Sequence, residues 1–382
     1  MTDIVFKLEP EIIIGNGTIN RTGTVCKALE GNKILLISEK KLYENKSIER
    51  LNSILADSGV EAIVFDEISS LTTADIAETT AELVRGSCCS AIIGFGGSTT
   101  QAITRLTAII TPAKLKPSEF LDGAIPNGQP IPYITIPTVI GDPFLFSNAF
   151  VTVDSRDRLV KLAPASANRC VTAIIDSSLA ESPSKKYIAA PLFDGFCTAV
   201  EAYCSTKAQF ISDTLLERAF RVYARLMDSY EAEQFDGLQE LAVEAGFLTA
   251  LASGVSVPGI GTALAYALNG RFPVKKSWCS TVLLPFILER LMSARPEKIA
   301  KIAALIGESV AGASTVEAAH LTVEAIRRHM KNLQVPSKLS DFNLSLDRLV
   351  PIAEAARNLA FVSHCPWTVT IEDAYDILKQ AF

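Results

Sequence analysis

A glycine-rich turn followed by hydroxyl side chains is the part of the chain whose composition points most directly to chemistry. The apolar run 92–95 leads into Gly96, Gly97, Ser98 and Thr99, and a helical pattern follows. Glycines let the backbone approach a phosphate closely, and a helix N-terminus offers N–H groups and a partial positive charge. The turn therefore predicts phosphate binding, with an ordinary strand-to-helix turn as the alternative. It is neither a Walker A loop nor a complete GxGxxG fingerprint, because Thr99 stands where the third glycine belongs.

The elements that must position this turn alternate between strands and helices. Short apolar runs predict strands, and amphipathic stretches between them predict helices, the second with Thr72 or Thr73 as its N-cap. The predicted strands are 33–38, 61–66, 90–95 and 133–137, and the predicted helices are 46–58 and 73–85. This alternation is typical of a parallel sheet covered by helices, the layout of nucleotide-binding α/β domains.

The second half of the chain has apolar residues almost only at helical spacing. The predicted helices are 215–227, 238–253, 258–268, 281–292, 299–306, 316–333 and 349–360. We therefore expect an α/β domain over residues 1–180 and an all-helical domain over residues 181–382. The cleft between two such domains is a preferred place for a ligand.

The overall composition narrows the class of protein. In 382 residues, 48% are hydrophobic, so the chain can bury a large core. With 36 basic and 42 acidic residues, no basic stripe for nucleic acid is expected. No apolar run is long enough to span a membrane, and the N-terminus lacks the pattern of a secretory signal. The eight cysteines form no CxxC pair, which favours reduced thiols in the cytoplasm over disulfides or a zinc ribbon.

Several motifs occur together in an order that belongs to a known family. After the segment 95–98 (FGGS) come 136–139 (IPTV), a helix with Asp194 and Glu201, and the tail segments 333–336, 358–361 and 368–373. In these motifs, and over nearly its whole length, the chain resembles the iron-containing alcohol dehydrogenase superfamily, which includes glycerol dehydrogenases and maleylacetate reductases. The continuation 98–100 (STT) is most similar to the maleylacetate reductases.

The resemblance implies a fold, a cofactor and a mode of assembly. The architecture would be like that of dehydroquinate synthase, with a dinucleotide-binding domain before the helical one. NAD or NADP would be held by Gly96, Gly97, Ser98, Thr99 and Thr138. The choice between the two cofactors stays open, since the acidic residues 66 and 67 do not decide it. A homodimer or a higher homo-oligomer is expected.

The chain departs from the family at the metal site. Metal-dependent members hold Fe²⁺ or Zn²⁺ with one Asp and three His. Asp194 matches the Asp, but the positions of the three His read Thr198, Thr262 and, with the register open by one residue, Lys276 or Lys275. Threonine and lysine are poor ligands for these ions, so no metal is expected to bind in the family manner.

Other residues offer a replacement for the metal. Lys276 would polarise a carbonyl oxygen, Tyr266 would donate a proton to it, and Asp194 would orient the lysine. The substrate pocket would include Thr198, Thr262 and His364, while the other two histidines, at positions 320 and 329, belong to a predicted amphipathic helix. The alternatives are that Asp194 is a helix N-cap and that both lysines are solvated loop residues.

A second departure concerns the loop 138–145 (TVIGDPFL), where the family has hydroxyl side chains that contact the dinucleotide. Asp142 in this loop would repel a pyrophosphate. One function is therefore a metal-independent NAD(P)-dependent oxidoreductase, which interconverts an alcohol and an aldehyde or ketone by hydride transfer. The alternative is a non-redox protein on the same scaffold: a degenerate binding protein for a small molecule or nucleotide, or a lyase or cyclase. A third possibility is an ordinary metal-dependent dehydrogenase with differently placed ligands.

Overall fold

The structure is a computed structural model, and it describes residues 8–382 except 9, 30–31, 45, 70, 140, 166–169, 180–184 and 346–347. Two compact units divide the chain. The first unit contains Met1–Ile140 and Phe144–Glu181, and the second contains Gly141–Pro143 and Ser182–Phe382. The sequence predicts one boundary at about residue 180, whereas the three-residue segment Gly141–Pro143 also groups with the second unit.

The first unit is built on a six-stranded sheet in which all neighbouring strands are parallel, in the order β1-β8-β5-β4-β2-β3. The strands are β1 (Glu11–Gly15), β2 (Lys33–Glu39), β3 (Glu61–Ile68), β4 (Ala91–Gly96), β5 (Tyr133–Pro137) and β8 (Cys170–Asp176). The helices of this unit are α1 (Thr22–Ala28), α2 (Lys40–Glu44), α3 (Ser47–Asp57), α4 (Ile76–Gly86), α5 (Ser98–Ala113) and α6 (Pro117–Leu121). The predicted parallel α/β fold is confirmed.

The central strands are apolar on both faces because helices cover both sides of the sheet. Leu35 and Ile92 belong to a core cluster that also contains buried residues of α4 and α5. Their neighbours Leu36 and Ile93 belong to a second cluster with residues of α1 and α3. The sheet is therefore packed between two hydrophobic cores, one on each face. This packing positions β4, whose carboxyl end leads into the glycine-rich turn.

Two details of the first unit differ from the expectation. An antiparallel pair, β6 (Ala149–Val153) with β7 (Val160–Pro164), was not predicted. The predicted N-cap of α4 at Thr72 or Thr73 is wrong, because the helix begins at Ile76 with Asp75 in the cap position. The Thr72 hydroxyl oxygen instead accepts a hydrogen bond from the Ser69 amide at 2.8 Å, so this threonine belongs to the preceding turn.

The second unit is helical, as predicted. Its helices are α7 (Lys185–Cys204), α8 (Phe210–Glu231), α9 (Leu238–Ser253), α10 (Ile260–Arg271), α11 (Lys276–Ala294), α12 (Pro296–Leu305), α13 (Thr315–Asn332), α14 (Leu349–Arg357) and α15 (Ile371–Gln380). Within the described part of the chain, each helix is too short or too polar to reach across a lipid bilayer.

Candidate active site

The glycine-rich turn lies at the carboxyl end of β4, beside the point where the strand order of the sheet reverses. From β2 the chain passes outward to β3, returns to the other side of β2 to form β4, and then continues to β5. Parallel α/β sheets bind ligands at the carboxyl ends of the strands next to such a switch point. Here that point lies between β2 and β4, so it is bordered by Glu39 and by Gly96.

Glu39 is a site residue that the sequence analysis missed. Its Oε1 accepts hydrogen bonds from the Gly97 amide at 2.6 Å and from the Thr100 hydroxyl at 3.1 Å. A Cβ on Gly96 would lie 2.8 Å from the same oxygen and 2.9 Å from the Thr100 Cβ, so the glycine leaves room for both side chains. The carboxylate thereby sits at the positive end of α5. The sequence signal for Glu39 was an acidic residue directly after a predicted buried strand. That this strand lies next to β4, which leads into the glycine-rich turn, is known only from the strand order.

The predicted dinucleotide-binding residues share this edge of the sheet. Ser98 and Thr99 begin α5, and the amides of a first helical turn have no acceptor within the helix. Thr138 follows β5, and its amide donates to the Gly96 carbonyl oxygen at 3.1 Å. Gln101, on α5, holds the turn in place, because its Nε2 donates to the carbonyl oxygens of Gly94 at 3.0 Å and Gly96 at 3.1 Å. Because Glu39 already accepts from the Gly97 amide, the amides of Ser98 and Thr99 are the part of this edge that can receive an anion from a ligand.

A nearly buried ion pair of the second unit joins α7 and α11. The Lys276 ammonium lies 2.6 Å from Asp194 Oδ1, and the two side chains are only 12% and 10% exposed. Asp194 lies in the middle of α7, so the alternative that it caps a helix N-terminus is wrong. Lys275 is the exposed residue just before α11, and of the two neighbouring lysines it is Lys276 that pairs with Asp194.

An aromatic ring completes the surroundings of this ammonium. Tyr266, on α10, is 8% exposed, and its ring centroid lies 5.0 Å from Lys276 Nζ. A cation over the face of an aromatic ring is attracted by the ring quadrupole, more strongly where water is excluded. The positive charge of Lys276 is therefore held between a carboxylate and a ring.

The start of α10 is organised by a buried carboxylate. Glu201, on α7, is 3% exposed and accepts hydrogen bonds from the Gly261 amide at 2.6 Å, the Thr262 amide at 2.9 Å and the Thr262 hydroxyl at 2.6 Å. Burial raises the pKa of Glu201, and these hydrogen bonds oppose that rise. The Thr262 hydroxyl is therefore directed to Glu201, and Glu201 fixes the helix that carries Tyr266.

Thr198 lies one turn after Asp194 on α7 and is completely buried. Its hydroxyl has no hydrogen-bond partner among the described residues. A buried hydroxyl without a partner costs about 1–3 kcal/mol. Such a group is a ready partner for a polar atom of a ligand.

The three histidines have other partners or are exposed. The carbonyl oxygen of His364 accepts a hydrogen bond from the Thr206 amide at 2.9 Å. The imidazole Nδ1 of His364 lies 3.5 Å from the Thr206 hydroxyl. Burial and the nearby Lys207 lower the pKa of His364. His329 forms an ion pair with Glu231, and His320 is exposed.

Two buried thiols lie close enough to the ion pair to sense its charges. Burial raises the pKa of Cys197 and of Cys279. The negative charge of Asp194, and for Cys197 also that of Glu201, raises it further, while the positive charge of Lys276 lowers it. A raised pKa disfavours the thiolate, which is the form of cysteine that binds metals. Across the residues that the structure describes, no three His, Cys, Asp or Glu side chains cluster as metal ligands would.

The family of the chain follows from two matches that together span nearly all of it. Residues 9–177 match the family model of iron-containing alcohol dehydrogenases. Residues 188–382 match the model of the C-terminal region of the Fe-containing alcohol dehydrogenase family. The chain therefore belongs to the iron-containing alcohol dehydrogenase family, and the resemblance seen in the motifs is confirmed.

Characterised relatives are similar along their whole length. The chain is 25% identical over 379 residues to 1,3-propanediol dehydrogenase of Citrobacter freundii, with 96% of each covered. It is 21% identical over 378 residues to NAD-dependent methanol dehydrogenase of Bacillus methanolicus, covering 98% of this chain and 99% of the relative.

Solved structures share the fold at low sequence identity. The crystal structure of 1,3-propanediol oxidoreductase has a TM-score of 0.91 at 23% identity, covering 99% of this chain and 100% of that one. The sulfoacetaldehyde reductase of Bifidobacterium kashiwanohense, in complex with NAD⁺, has a TM-score of 0.85 at 16% identity, covering 99% and 98%. The fold of this chain is thus that of the family.

We expect Glu201→Gln to change how stability depends on pH. The raised pKa means that the folded protein binds this proton more tightly than the unfolded chain does. The contribution to stability is therefore present below the unfolded pKa of about 4.3 and is lost as pH rises through the folded-state pKa. Wild-type protein therefore loses unfolding free energy as the pH rises, and the glutamine variant does not. The amount by which the variant is less stable than wild type should shrink from acid to neutral pH. Urea unfolding at several pH values measures the difference.

The exposed residue Glu354 offers a matched control as Glu354→Gln. A deficit of Glu201→Gln that grows toward neutral pH would contradict the direction of the pKa shift.

Proposed function

We propose that the protein is an NAD-dependent oxidoreductase that interconverts an alcohol and an aldehyde or ketone by hydride transfer, with Lys276 in place of a metal ion. The observation that carries this proposal is the short, nearly buried contact between Lys276 Nζ and Asp194 Oδ1. The names of the relatives, which are alcohol dehydrogenases and aldehyde reductases, support the redox reaction over the non-redox alternative.

The donor chemistry at this position does not fit a divalent cation. The carboxylate of Asp194 is already paired with an ammonium, which repels a cation. The hydroxyl of Thr262 is committed to Glu201, and hydroxyls are weak ligands for Fe²⁺ or Zn²⁺ compared with imidazole. These observations support a reaction without a metal, in a helical domain over residues 181–382 that carries a degenerate metal site.

A positioned ammonium does part of the work of a Lewis acid. Bound NAD supplies the hydride acceptor for alcohol oxidation, and its reduced form supplies the hydride for carbonyl reduction. Lys276 donates a hydrogen bond to the substrate oxygen and stabilises negative charge that develops there. Asp194 holds the ammonium in place, and Tyr266 delivers the proton to the oxygen in the direction of reduction. Thr198, Thr262 and His364 belong to the substrate pocket in this proposal.

The edge of the sheet at the switch point supports a dinucleotide, and NAD rather than NADP. Gly96, Gly97, Ser98, Thr99 and Thr138 would hold the pyrophosphate within the domain 1–180. Glu39 stands at the end of the neighbouring strand. A carboxylate there accepts hydrogen bonds from ribose hydroxyls and disfavours a 2′-phosphate. Lys41 Nζ lies 3.4 Å from Glu39 Oε2 and offsets part of this negative charge.

We also propose a cytoplasmic homodimer or higher homo-oligomer. All eight cysteines are free thiols, which supports a reducing compartment. The assembly rests on the family resemblance alone.

The proposal predicts that Lys276→Met lowers kcat for aldehyde reduction about 10²–10³-fold, the usual cost of losing one donor to a developing oxyanion. Nicotinamide absorbance with a panel of short-chain aldehydes measures the rate. The adjacent Lys275→Met is the matched control, because Lys275 is exposed. Equal effects of the two substitutions would contradict the role of Lys276.

The same assay separates the metal-free reaction from its alternatives. Dialysis against a chelator should leave the rate unchanged, and added Fe²⁺ or Zn²⁺ should not raise it. Activity that disappears on chelation and returns with metal would point to an ordinary metal-dependent dehydrogenase. Wild-type protein that binds neither NAD⁺ nor NADH in calorimetry would favour the non-redox alternative.

Tyr266→Phe tests the proton donor separately from the ring. The variant keeps the aromatic face toward Lys276 and loses only the hydroxyl. We expect kcat for reduction to fall by about 10²-fold or more, with NADH affinity and thermal stability unchanged. Tyr43→Phe, at an exposed position, is the control. A variant with wild-type kcat would assign the proton to another group.

Glu39→Gln tests the cofactor preference. Glutamine keeps an oxygen that accepts from the Gly97 amide and removes the charge that would face a 2′-phosphate. We expect the ratio of kcat/KM for NADPH to that for NADH to rise about tenfold, the effect of ~1.4 kcal/mol. Asp66→Asn, which changes an acid on β3, should leave the ratio near the wild-type value. An unchanged ratio in Glu39→Gln would remove the basis for assigning NAD.

A further inference from the structure

A pocket of about 400 Å³ in the second unit is lined by the end of α14 and the segment that leads to α15. Its walls are formed by residues 357–360, 362, 363 and 365–369. None of the residues placed in the oxidoreductase reaction belongs to this lining. We propose that the pocket binds a small organic anion in which a carboxylate or phosphate group is attached to a planar ring. This inference does not depend on the proposed function.

The charge of the lining favours an anion. Arg357 is the one ionised side chain in it, and the remaining polar groups are the amide of Asn358 and the hydroxyls of Ser363 and Thr368. The guanidinium of Arg357, the amide of Asn358 and the hydroxyl of Thr368 can donate hydrogen bonds to a ligand, and a guanidinium is suited to bidentate contacts with a carboxylate or phosphate. Burial raises the pKa of the Cys365 thiol to about 12, so this wall contributes no negative charge at neutral pH.

Arg357 has no acidic partner among the described residues that would compete with a ligand. Its Nε donates to the Val369 carbonyl oxygen at 3.4 Å, a neutral acceptor. Glu354, one turn earlier on α14, forms no ion pair with it within the described structure. Asp373 is occupied, because its Oδ2 accepts from the Thr370 amide at 2.9 Å and the Thr370 hydroxyl at 2.8 Å. An uncompensated guanidinium beside a concave surface is a recognition element for anions.

The walls of the pocket are held in place without a ligand. The carbonyl oxygen of His364 accepts from the Thr206 amide at 2.9 Å and the Thr206 hydroxyl at 3.2 Å, which ties the segment to the end of α7. Within the segment, the Ser363 hydroxyl donates to the Ala360 carbonyl oxygen at 2.7 Å. A preformed wall reduces the entropy that binding would cost.

The indole of Trp367 is the reason for proposing a planar ring in the ligand. Trp367 is half-buried and lines the same pocket as Arg357. A pocket lined by an aromatic side chain and a cation suits a ligand with a planar group and a negative charge, because the ring can stack on the indole while the charge pairs with the guanidinium.

One wall of the pocket touches the start of α10. A Cβ placed on Gly259 would lie 3.1 Å from Cys365 Sγ and 2.9 Å from Glu201 Oε1, so the thiol and the carboxylate both meet this glycine. Gly259 is the N-cap of the helix that carries Thr262 and Tyr266. An occupied pocket is therefore in physical contact with the element that positions the candidate active site.

The chain offers a direct spectroscopic test, because it has only two tryptophans. In the full-length Trp278→Phe variant, Trp367 is the sole tryptophan. We expect benzoate, titrated at constant ionic strength, to change its fluorescence in a saturable manner, and neutral benzyl alcohol to do so at least tenfold more weakly. Phenyl phosphate in a parallel arm decides which anionic group is preferred. Titration calorimetry on the wild-type protein gives the same comparison if Trp278→Phe does not fold.

The decisive variant is Arg357→Gln, which should weaken benzoate binding about tenfold or more, as the loss of a charge-assisted hydrogen bond does. Arg348→Gln, an exposed arginine at the other end of α14, should bind like the parent protein. Lys276→Met, in samples that circular dichroism shows to be folded, should also bind benzoate normally, which separates this pocket from the proposed active site. The proposal is overturned by an absence of saturable binding, by equal affinity for benzyl alcohol, or by a loss in Lys276→Met without one in Arg357→Gln.

Discussion

The proposed chemistry of the helical unit depends on a single ion pair. Lys276 and Asp194 lie on different helices, 2.6 Å apart, and both are nearly out of contact with solvent. Removing one partner of such a pair leaves an uncompensated buried charge, which costs about 3–5 kcal/mol. Each residue therefore requires the other, and the pair fixes the placement of α7 against α11. The result is a positive charge with a defined position, next to the Asp that the family resemblance assigns to the metal site.

A second carboxylate has a comparable role in the first unit. Glu39 accepts the Gly97 amide and the Thr100 hydroxyl at the switch point of the sheet, where a dinucleotide would bind. In each unit, an acidic side chain therefore positions a group that we propose to contact a ligand. Glu39 positions Gly97 of the glycine-rich turn in the first unit, and Asp194 positions the Lys276 ammonium in the second. Sites organised in this way are rigid before the ligand arrives, which lowers the cost of binding.

Local periodicity accounts for the parts of the fold that the sequence predicts well. The predicted strand 133–137 and the predicted helix 238–253 coincide with β5 and α9, because unbroken apolar patterns with clear ends specify them. The N-terminus of α7 and the pair β6–β7 were missed, since tertiary contacts rather than local pattern decide where such elements begin. Glu39 was overlooked for the same reason: its role depends on strand order, which periodicity does not encode. The pairing of Asp194 with Lys276 joins residues 82 positions apart, and only the family resemblance suggested it.

The central claim is that an ammonium, and not a metal ion, is the electrophile beside Asp194. Diffraction data collected at the iron and zinc absorption edges, from crystals of protein assayed as active, test it most directly. The account predicts no anomalous peak near the Asp194 carboxylate and continuous density for a lysine side chain that reaches it. A strong anomalous peak within bonding distance of that carboxylate, with Lys276 turned away, would contradict the account.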